Sequence, residues 1–510
     1  MEKGIKPSGV LLFLLCVFTL LLLISVVFPP GGIRVGPDMY LYFPGVRDIL
    51  DPADPGYADV SHLEDHMDKL EESLVPGYPV PAVTESEAGM PYGDSLFREK
   101  DSDATCHYAA DEGALRTLIY PVQYPAGTDT LLYGFFRALE NRGNNELIRI
   151  IHYGDSQLEN DRISSVLRNR FQIRFGGSGI GMFPVLSAVP HTASLRIRPV
   201  GNWKRHTPLG RPDPGSIHNR YGLLLSYSQL VPSDGDSVIR GSLTVRPAAT
   251  GYRRSREMKE LSVFFGSGKE PFTIGLSASG ETLASKIVAA DNSTGKISWT
   301  LPAGANEFSL ILTGKGSADI YAVSIDDASG VAVDNVPLRG SRGLEFSRTD
   351  PAVMKQMIED HGTRLVLLQF GLNIVPHIVD DYTFFENSLY RELRFIKSLS
   401  PDINILVVGV SDMSARTAGG YYESYPNIEL IRDAQRNAAF RAGVPFWDLY
   451  EAMGGKNSMP AWVSASPPLG QPDYTHFSYR GSILVGDLLF NAIMEEYDRY
   501  LRGEAEMIIH

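Results

Sequence analysis

Four separate stretches of this chain carry residue types that together perform acyl transfer. Ser156 closes the run Ile148-Arg149-Ile150-Ile151-His152-Tyr153-Gly154-Asp155-Ser156. A serine hydroxyl is a weak nucleophile until a base removes its proton. Pro472-Asp473-Tyr474-Thr475-His476-Phe477 supplies that base in His476, which titrates near neutral pH. Asp473, three residues earlier, would accept the other ring N–H, fix the tautomer and stabilise the imidazolium. Attack on an ester carbonyl builds negative charge on its oxygen, which preorganised donors must meet. The candidates are the Ser156 N–H, the N–H of Gly340 in Val336-Pro337-Leu338-Arg339-Gly340-Ser341, and the side-chain amide of Asn373 in Phe370-Gly371-Leu372-Asn373.

None of these signals is specific alone. Gly-Asp-Ser occurs at 93–95, 154–156 and 235–237, Asp59-Val60-Ser61-His62 repeats the acid–histidine spacing, and Gly143-Asn144-Asn145 and Gly455-Lys456-Asn457 repeat Gly-x-Asn. What separates the chosen set is context. Ser156 has an apolar run before it, and Ile163, Val166, Leu167 and Phe171 after it recur at helical spacing, so a helix is expected to follow the turn at once. Strands are expected at Val331–Leu338, Leu365–Phe370, Ile403–Val410 and Val444–Leu449. Helices are expected at 131–139, Pro351–His361, Phe384–Leu399, Ile428–Ala442 and Tyr479–Leu501. Strand–helix alternation argues for a parallel sheet covered on both faces, five-stranded with the strand before Ser156. Every candidate then falls at the carboxyl edge, where open α/β sheets hold ligands. Gly176, Gly177, Gly179 and Gly181 read as a flexible loop; they follow a helix and lack the Lys-Ser/Thr of a nucleotide loop.

The remaining segments divide the chain. Lys3 and Lys6 precede an apolar run from Val10 to Pro29, and about 18 such residues suffice to cross a bilayer. Residues 1–30 therefore read as an uncleaved signal anchor, with a cleaved signal peptide as the alternative. Residues 31–125 read as an acidic, Pro-rich spacer with one short helix near His62–Leu74. Within it, 51–112 hold sixteen acidic residues against Lys69, Arg98 and Lys100, so this stretch alone matches the net charge of −13 of the whole chain. Acidic character argues against nucleic acid or anionic lipid as partner. Residues 126–194 and 331–510 form two parts of the α/β domain. Between them, 195–330 show short strand-like runs separated by Gly, Ser and Asn turns, as in an inserted all-β sandwich. Cys16 lies in the anchor, which leaves Cys106 as the other cysteine and excludes a disulfide within the remainder.

Taken in order, Ser156, Gly340, Asn373 and His476, with Asp473 as the acid, resemble the SGNH (GDSL-type) hydrolase superfamily over roughly 130–190 and 331–505. The chain is most similar to its peptidoglycan O-acetylesterase/O-acetyltransferase branch, through Arg174–Gly179, Met453-Gly454-Gly455 to Trp462, and His476–Gly481. That resemblance implies a flavodoxin-like three-layer α/β/α fold with an inserted carbohydrate-binding-like β-sandwich. It implies a serine esterase acting on O-acetylated polysaccharide through an acyl-enzyme, anchored in a bacterial inner membrane and facing the periplasm. An O-acetyltransferase sharing the acyl-enzyme is the alternative; a non-catalytic glycan-binding envelope protein is the alternative of another class. No cofactor is implied, and no His/Cys/Asp/Glu cluster has metal-ligand spacing. Two departures from the branch stand out: Gln157 stands where many such enzymes carry histidine, and Ile374-Val375 follow Asn373 in place of an acid. Trp462 is the candidate sugar-facing aromatic, whereas His152, Trp203 and Trp447 read as packing residues.

Overall fold

The computed structural model describes residues 7–28, 33–34, 40–41, 56–73 and 118–509, apart from 144–145, 188, 190–191, 211–217, 233–237, 267, 269, 279–280, 291–293, 305 and 418. Cys106 and the Gly-Asp-Ser copies at 93–95 and 235–237 lie outside or partly outside these residues. The apolar run forms helix α1 (Pro7–Val27), of which Gly9–Val27, at a mean hydropathy of 3.2, is long and apolar enough to cross a membrane.

Five parallel strands organise the rest: β1 (Leu147–Gly154), β2 (Gly330–Pro337), β3 (Thr363–Gln369), β4 (Asn404–Val408) and β5 (Phe446–Trp447). Their spatial order is β2-β1-β3-β4-β5, so the chain reverses direction across the sheet between β1 and its two neighbours. Ligands collect at such a switch point. The strands are apolar on both sides because helices cover both faces. These are α2 (Ser61–Ser73), α3 (Tyr133–Asn141), α4 (Ser164–Phe175), α5 (Pro351–His361), α6 (Thr383–Leu399), α7 (Ile428–Arg441) and α8 (Tyr479–Ile509). Ile148, Ile150, Val333, Leu367 and Leu406 pack with Phe136, Phe171 and Leu488 from α3, α4 and α8. Ile151, Val366, Leu368 and Val407 pack with Ile358, Leu389 and Ile431 from α5, α6 and α7. The architecture is the α/β/α arrangement expected from the alternation.

Two antiparallel sheets form the insert between β1 and β2. One runs Glu281–Val288, Phe272–Ala278, Phe308–Gly314, Ile239–Pro247, Leu195–Val200, and the other Thr294–Thr300, Glu260–Gly266, Asp319–Asp326, Tyr227–Leu230, Trp203–His206. Leu243, Ile274, Leu310, Val263 and Val323 are buried between them. Of the glycine-rich stretch read as a flexible loop, Gly176 and Gly177 do lie in a loop, but Gly179 and Gly181 belong to a strand, Gly179–Phe183, paired antiparallel to Asp319–Asp326. Its glycines serve close approach: a Cβ on Gly179, at φ +89°, would lie 2.2 Å from the Ile325 carbonyl. A buried ion triad fixes the insert to the sheet. Arg149 of β1 meets Asp334 of β2 at 2.6 Å and Asp326, at the end of the insert, at 2.7 Å.

The spacer reading fails at two places. Leu63, Met67 and Leu70 of α2 are fully buried in the core beneath α8, and His66 Nε2 lies 3.0 Å from the buried Asp487 carboxylate. Arg480 pairs with Asp68 and Glu71 from the same helix. Further on, Gln123 bridges to Phe446 at the edge strand, and the Trp447 indole N–H donates to the Tyr120 carbonyl at 3.0 Å. Net acidity hid an amphipathic helix whose acids face Arg480 and solvent while its apolar stripe completes the core.

Candidate active site

Strand β1 delivers its last residues into a tight turn. Gly154 is required there because a Cβ would lie 2.7 Å from both the Gln369 carbonyl of β3 and the Leu158 side chain. Asp155 follows, buried, its carboxylate accepting the Gln157 N–H at 3.1 Å. Burial pushes this carboxyl up to about 6, against the N–H groups of Gln157 and Leu372 and the nearby His476, which favour its charge. Ser156 then opens a short 3-10 turn, Ser156–Asp161, rather than the helix expected at once. Asn160 and Asp161 adopt positive φ (64° and 60°), which ends that turn, and α4 begins at Ser164. Asp161 holds the break open by chelating the buried Arg168 at 2.7 and 3.1 Å.

The histidine arrives on the loop between Leu469 and α8. That loop is stapled to itself by Gln471 N–H to the His476 carbonyl (2.8 Å) and Tyr474 N–H to the Gln471 carbonyl (3.0 Å), with Tyr474 at φ +54°. His476 Nε2 lies 2.8 Å from Ser156 Oγ, and its Nδ1 lies 2.7 Å from Asp473 Oδ2. Asp473 Oδ1 also accepts the backbone N–H groups of Thr475 and His476, each at 3.0 Å. Burial alone would raise the Asp473 carboxyl, but these hydrogen bonds outweigh it and hold it below the usual carboxylate range. An ionised carboxylate only accepts, so Nδ1 carries the proton and Nε2 is left free to accept the serine hydroxyl.

Gln157 is the residue whose part the sequence did not disclose. Its side chain is buried and grips both sides of the histidine: Nε2 donates to the Thr475 carbonyl at 2.9 Å, and Oε1 accepts the Phe477 N–H at 3.2 Å. Nε2 also reaches Ser411 Oγ, past the end of β4, at 3.3 Å. The adjacency of Gln157 to Ser156 was the available signal, but the partners lie more than 250 positions away. Arg162 adds a hydrogen bond to the Phe477 carbonyl at 3.1 Å.

The remaining candidates fall at the same edge. Gly340, at φ +78° with open space beside its Cα, is exposed in the turn after β2. Asn373, partly buried in the turn after β3, donates one amide N–H to the Ser341 carbonyl at 2.9 Å, which ties the two turns together and leaves a second N–H. Among the described residues, no acceptor is hydrogen-bonded to the Ser156 or Gly340 N–H. Trp462 does not present a face to solvent. It is fully buried, its indole N–H donates to the Met453 carbonyl at 2.9 Å, and its ring packs 5.3 Å from that of Phe477, behind the histidine loop. His152 is a core residue, held between Gln369 Oε1 and Ser164 Oγ at 3.0 Å each; burial drives it down to about 3 and keeps it neutral. Asp59 and His62, the decoy pair, cap α2 and contact Tyr120 instead.

No family model and no curated protein sequence matches this chain. Among solved structures, a peptidoglycan O-acetylesterase captured in action superposes over 72% of this chain and 96% of its own, at 22% identity and a TM-score of 0.56. The fold resemblance read from the sequence is thereby matched in three dimensions. A family two carbohydrate esterase from Clostridium thermocellum bound to cellohexaose aligns over 59% and 98% of the two chains, at 12% identity and a TM-score of 0.23. The salicylyl-acyltransferase SsfX3 of a tetracycline biosynthetic pathway aligns over 58% and 98%, at 13% identity and 0.25.

Proposed function

We propose that this protein is a serine esterase that removes O-acetyl groups from a cell-envelope or exported polysaccharide. The observation that carries the reading is the unbroken relay Ser156 Oγ–His476 Nε2–His476 Nδ1–Asp473 Oδ2, at 2.8 and 2.7 Å, set at the carboxyl edge of a parallel sheet. In this mechanism His476 takes the Ser156 proton as Oγ attacks the acetyl carbonyl, and Asp473 stabilises the imidazolium. The tetrahedral oxyanion is met by the Ser156 and Gly340 N–H groups and the second Asn373 N–H. Collapse breaks the bond to the sugar oxygen, which leaves as an alkoxide, takes the proton back from His476 to become a hydroxyl, and leaves an acetyl-enzyme. Water, deprotonated by the same histidine, then releases acetate. The apolar helix α1 supports anchoring in a bacterial inner membrane, with the catalytic layer on the periplasmic side.

Turnover of phenyl acetate and of an O-acetylated glycan panel tests this directly. Ser156→Ala and His476→Ala each abolish nearly all hydrolysis, and the double variant is barely worse, because members of a triad act as a unit. A fluorophosphonate probe labels the parent and not Ser156→Ala. Labelling that survives the substitution places the nucleophile elsewhere and overturns the reading.

A further inference from the structure

Residues of both the insert and the catalytic layer, including Glu159 and Arg339, which lie three residues after Ser156 and one before Gly340, line a cavity of about 210 Å³. That is room for about seven waters. Glu159 and Arg339 come from the turns that carry Ser156 and Gly340, and Leu195, Arg205 and Leu224 come from the insert. The two parts are fastened at its rim by the Ala193 N–H donating to the Asn160 carbonyl at 3.0 Å.

Its charges do not balance. The lining carries three guanidiniums and two carboxylates. Both carboxylates are engaged, Glu159 with Arg339 and Asp161 with Arg168. Arg205 is left over. Among the described residues, its buried Nε has no hydrogen-bond partner and no acidic neighbour opposes burial, which depresses its pKa. Arg205 is half-buried, and a guanidinium drawn partly out of water without an anion carries a desolvation cost that a bound anion would offset. The rest of the wall is mainly apolar, with Met182 and Phe183 among its residues.

Resting on the esterase reading above, we propose that this cavity is a substrate subsite for a carboxylate borne by the acetylated glycan, with Arg205 as its anion-binding residue. The guanidinium pairs with the carboxylate, the apolar wall packs against the carbon stem that bears it, and the neighbouring acetyl ester is presented to Ser156. The insert then contributes a specificity-determining side chain at the catalytic crevice itself.

The test compares an O-acetylated acidic glycan with the same polymer after its carboxyls are converted to methylamides, in the parent, Arg205→Gln and Arg205→Lys. The parent prefers the acidic polymer by about 10- to 100-fold in kcat/KM, mostly through KM, as for loss of one charge-assisted hydrogen bond. In Arg205→Gln the ratio falls to near one, and Arg205→Lys keeps part of it. Thermal melting checks the fold; removing an unpaired half-buried charge leaves the melting temperature equal or higher. A ratio near one in the parent, or an unchanged ratio in Arg205→Gln, overturns the subsite while the esterase reading stands. If the parent cleaves neither polymer, that reading fails, and calorimetric titration with benzoate judges the cavity alone: saturable binding abolished by Arg205→Gln supports a carboxylate site, and its absence overturns it. Benzoate that binds without inhibiting glycan turnover assigns the cavity to a separate anion and also overturns the substrate subsite.

Discussion

Replacing Gln157 by glutamate changes one buried NH2 group to an oxygen and little else in shape. The Oε1 contact to the Phe477 N–H at 3.2 Å survives. The contact at 2.9 Å to the Thr475 carbonyl does not, because a carboxylate has no proton to donate and would press oxygen against oxygen. Ser411 Oγ, at 3.3 Å, can rotate its hydroxyl to donate instead, so that contact is recoverable. The net change is one lost hydrogen bond, a buried carbonyl left unpaired and a charge added to a buried site, a penalty of at least about 1–3 kcal/mol. Thr475 and Phe477 flank His476, so part of that penalty appears as displacement of the imidazole from Ser156 Oγ. If about 2 kcal/mol falls on the transition state, kcat drops about 30-fold with KM little changed. Protonating the introduced carboxyl restores a donor, so Gln157→Glu recovers relative to the parent as pH is lowered, whereas Gln157→Ala does not. Steady-state kinetics on phenyl acetate from pH 5 to 8, with thermal melting of each variant, reads both effects. Parental kcat in Gln157→Glu at pH 8, or a loss confined to melting temperature, would refute the clamp.

Asn373→Ala removes a proposed oxyanion donor and the tie to Ser341, so kcat falls about 10²–10³-fold and the melt drops by a smaller amount; near-parental kcat with a lowered melt would reduce Asn373 to a structural tie. Asp412, buried against the Met459 N–H at 2.7 Å, is pushed from 3.8 up to about 6 by burial, so the folded state keeps a proton that the unfolded chain has lost in that window. Stability then falls as pH rises from about 4 to about 6, and Asp412→Asn flattens that part of the profile in chemical denaturation; an unchanged slope counts against the burial argument. A fragment beginning at residue 115 lacks Leu63, Met67 and Leu70, each fully buried and worth roughly 1.5–3 kcal/mol. It melts well below a fragment beginning at residue 56, and equal melts would return α2 to the role of spacer.

The sheet was legible in the sequence because its signals are local. Apolar runs of strand length alternate with helical periodicity from Val331 onward, and a parallel sheet buried on both faces leaves no other pattern. The same local signals picked out the candidate residues: Ser156, Gly340 and Asn373 each stand just past a strand, and the Asp473–His476 pair stands in the loop before the last helix. Apolar periodicity also placed the insert, since its turn-separated strands cannot continue an α/β alternation.

What the sequence withheld depends on contacts between distant positions. The acidic composition around α2 masked a stripe whose partners lie in α8, more than 400 residues away. The glycines at 179 and 181 signalled freedom, whereas their cause is steric: neighbouring backbone leaves no space for a Cβ. Trp462 was read for its aromatic face, which the fold spends on packing behind Phe477. The 3-10 turn after Ser156 replaced a helix because Asp161 and Arg168 pair across it, a preference no helical periodicity records. Gln157 gained its part only when the fold carried Thr475 and Phe477 to within hydrogen-bond distance. Residue types and spacing thus determined which chemistry was available; tertiary structure decided which side chains hold Ser156 Oγ and the His476 ring in line, because burial and hydrogen-bond partnership are properties of positions in space.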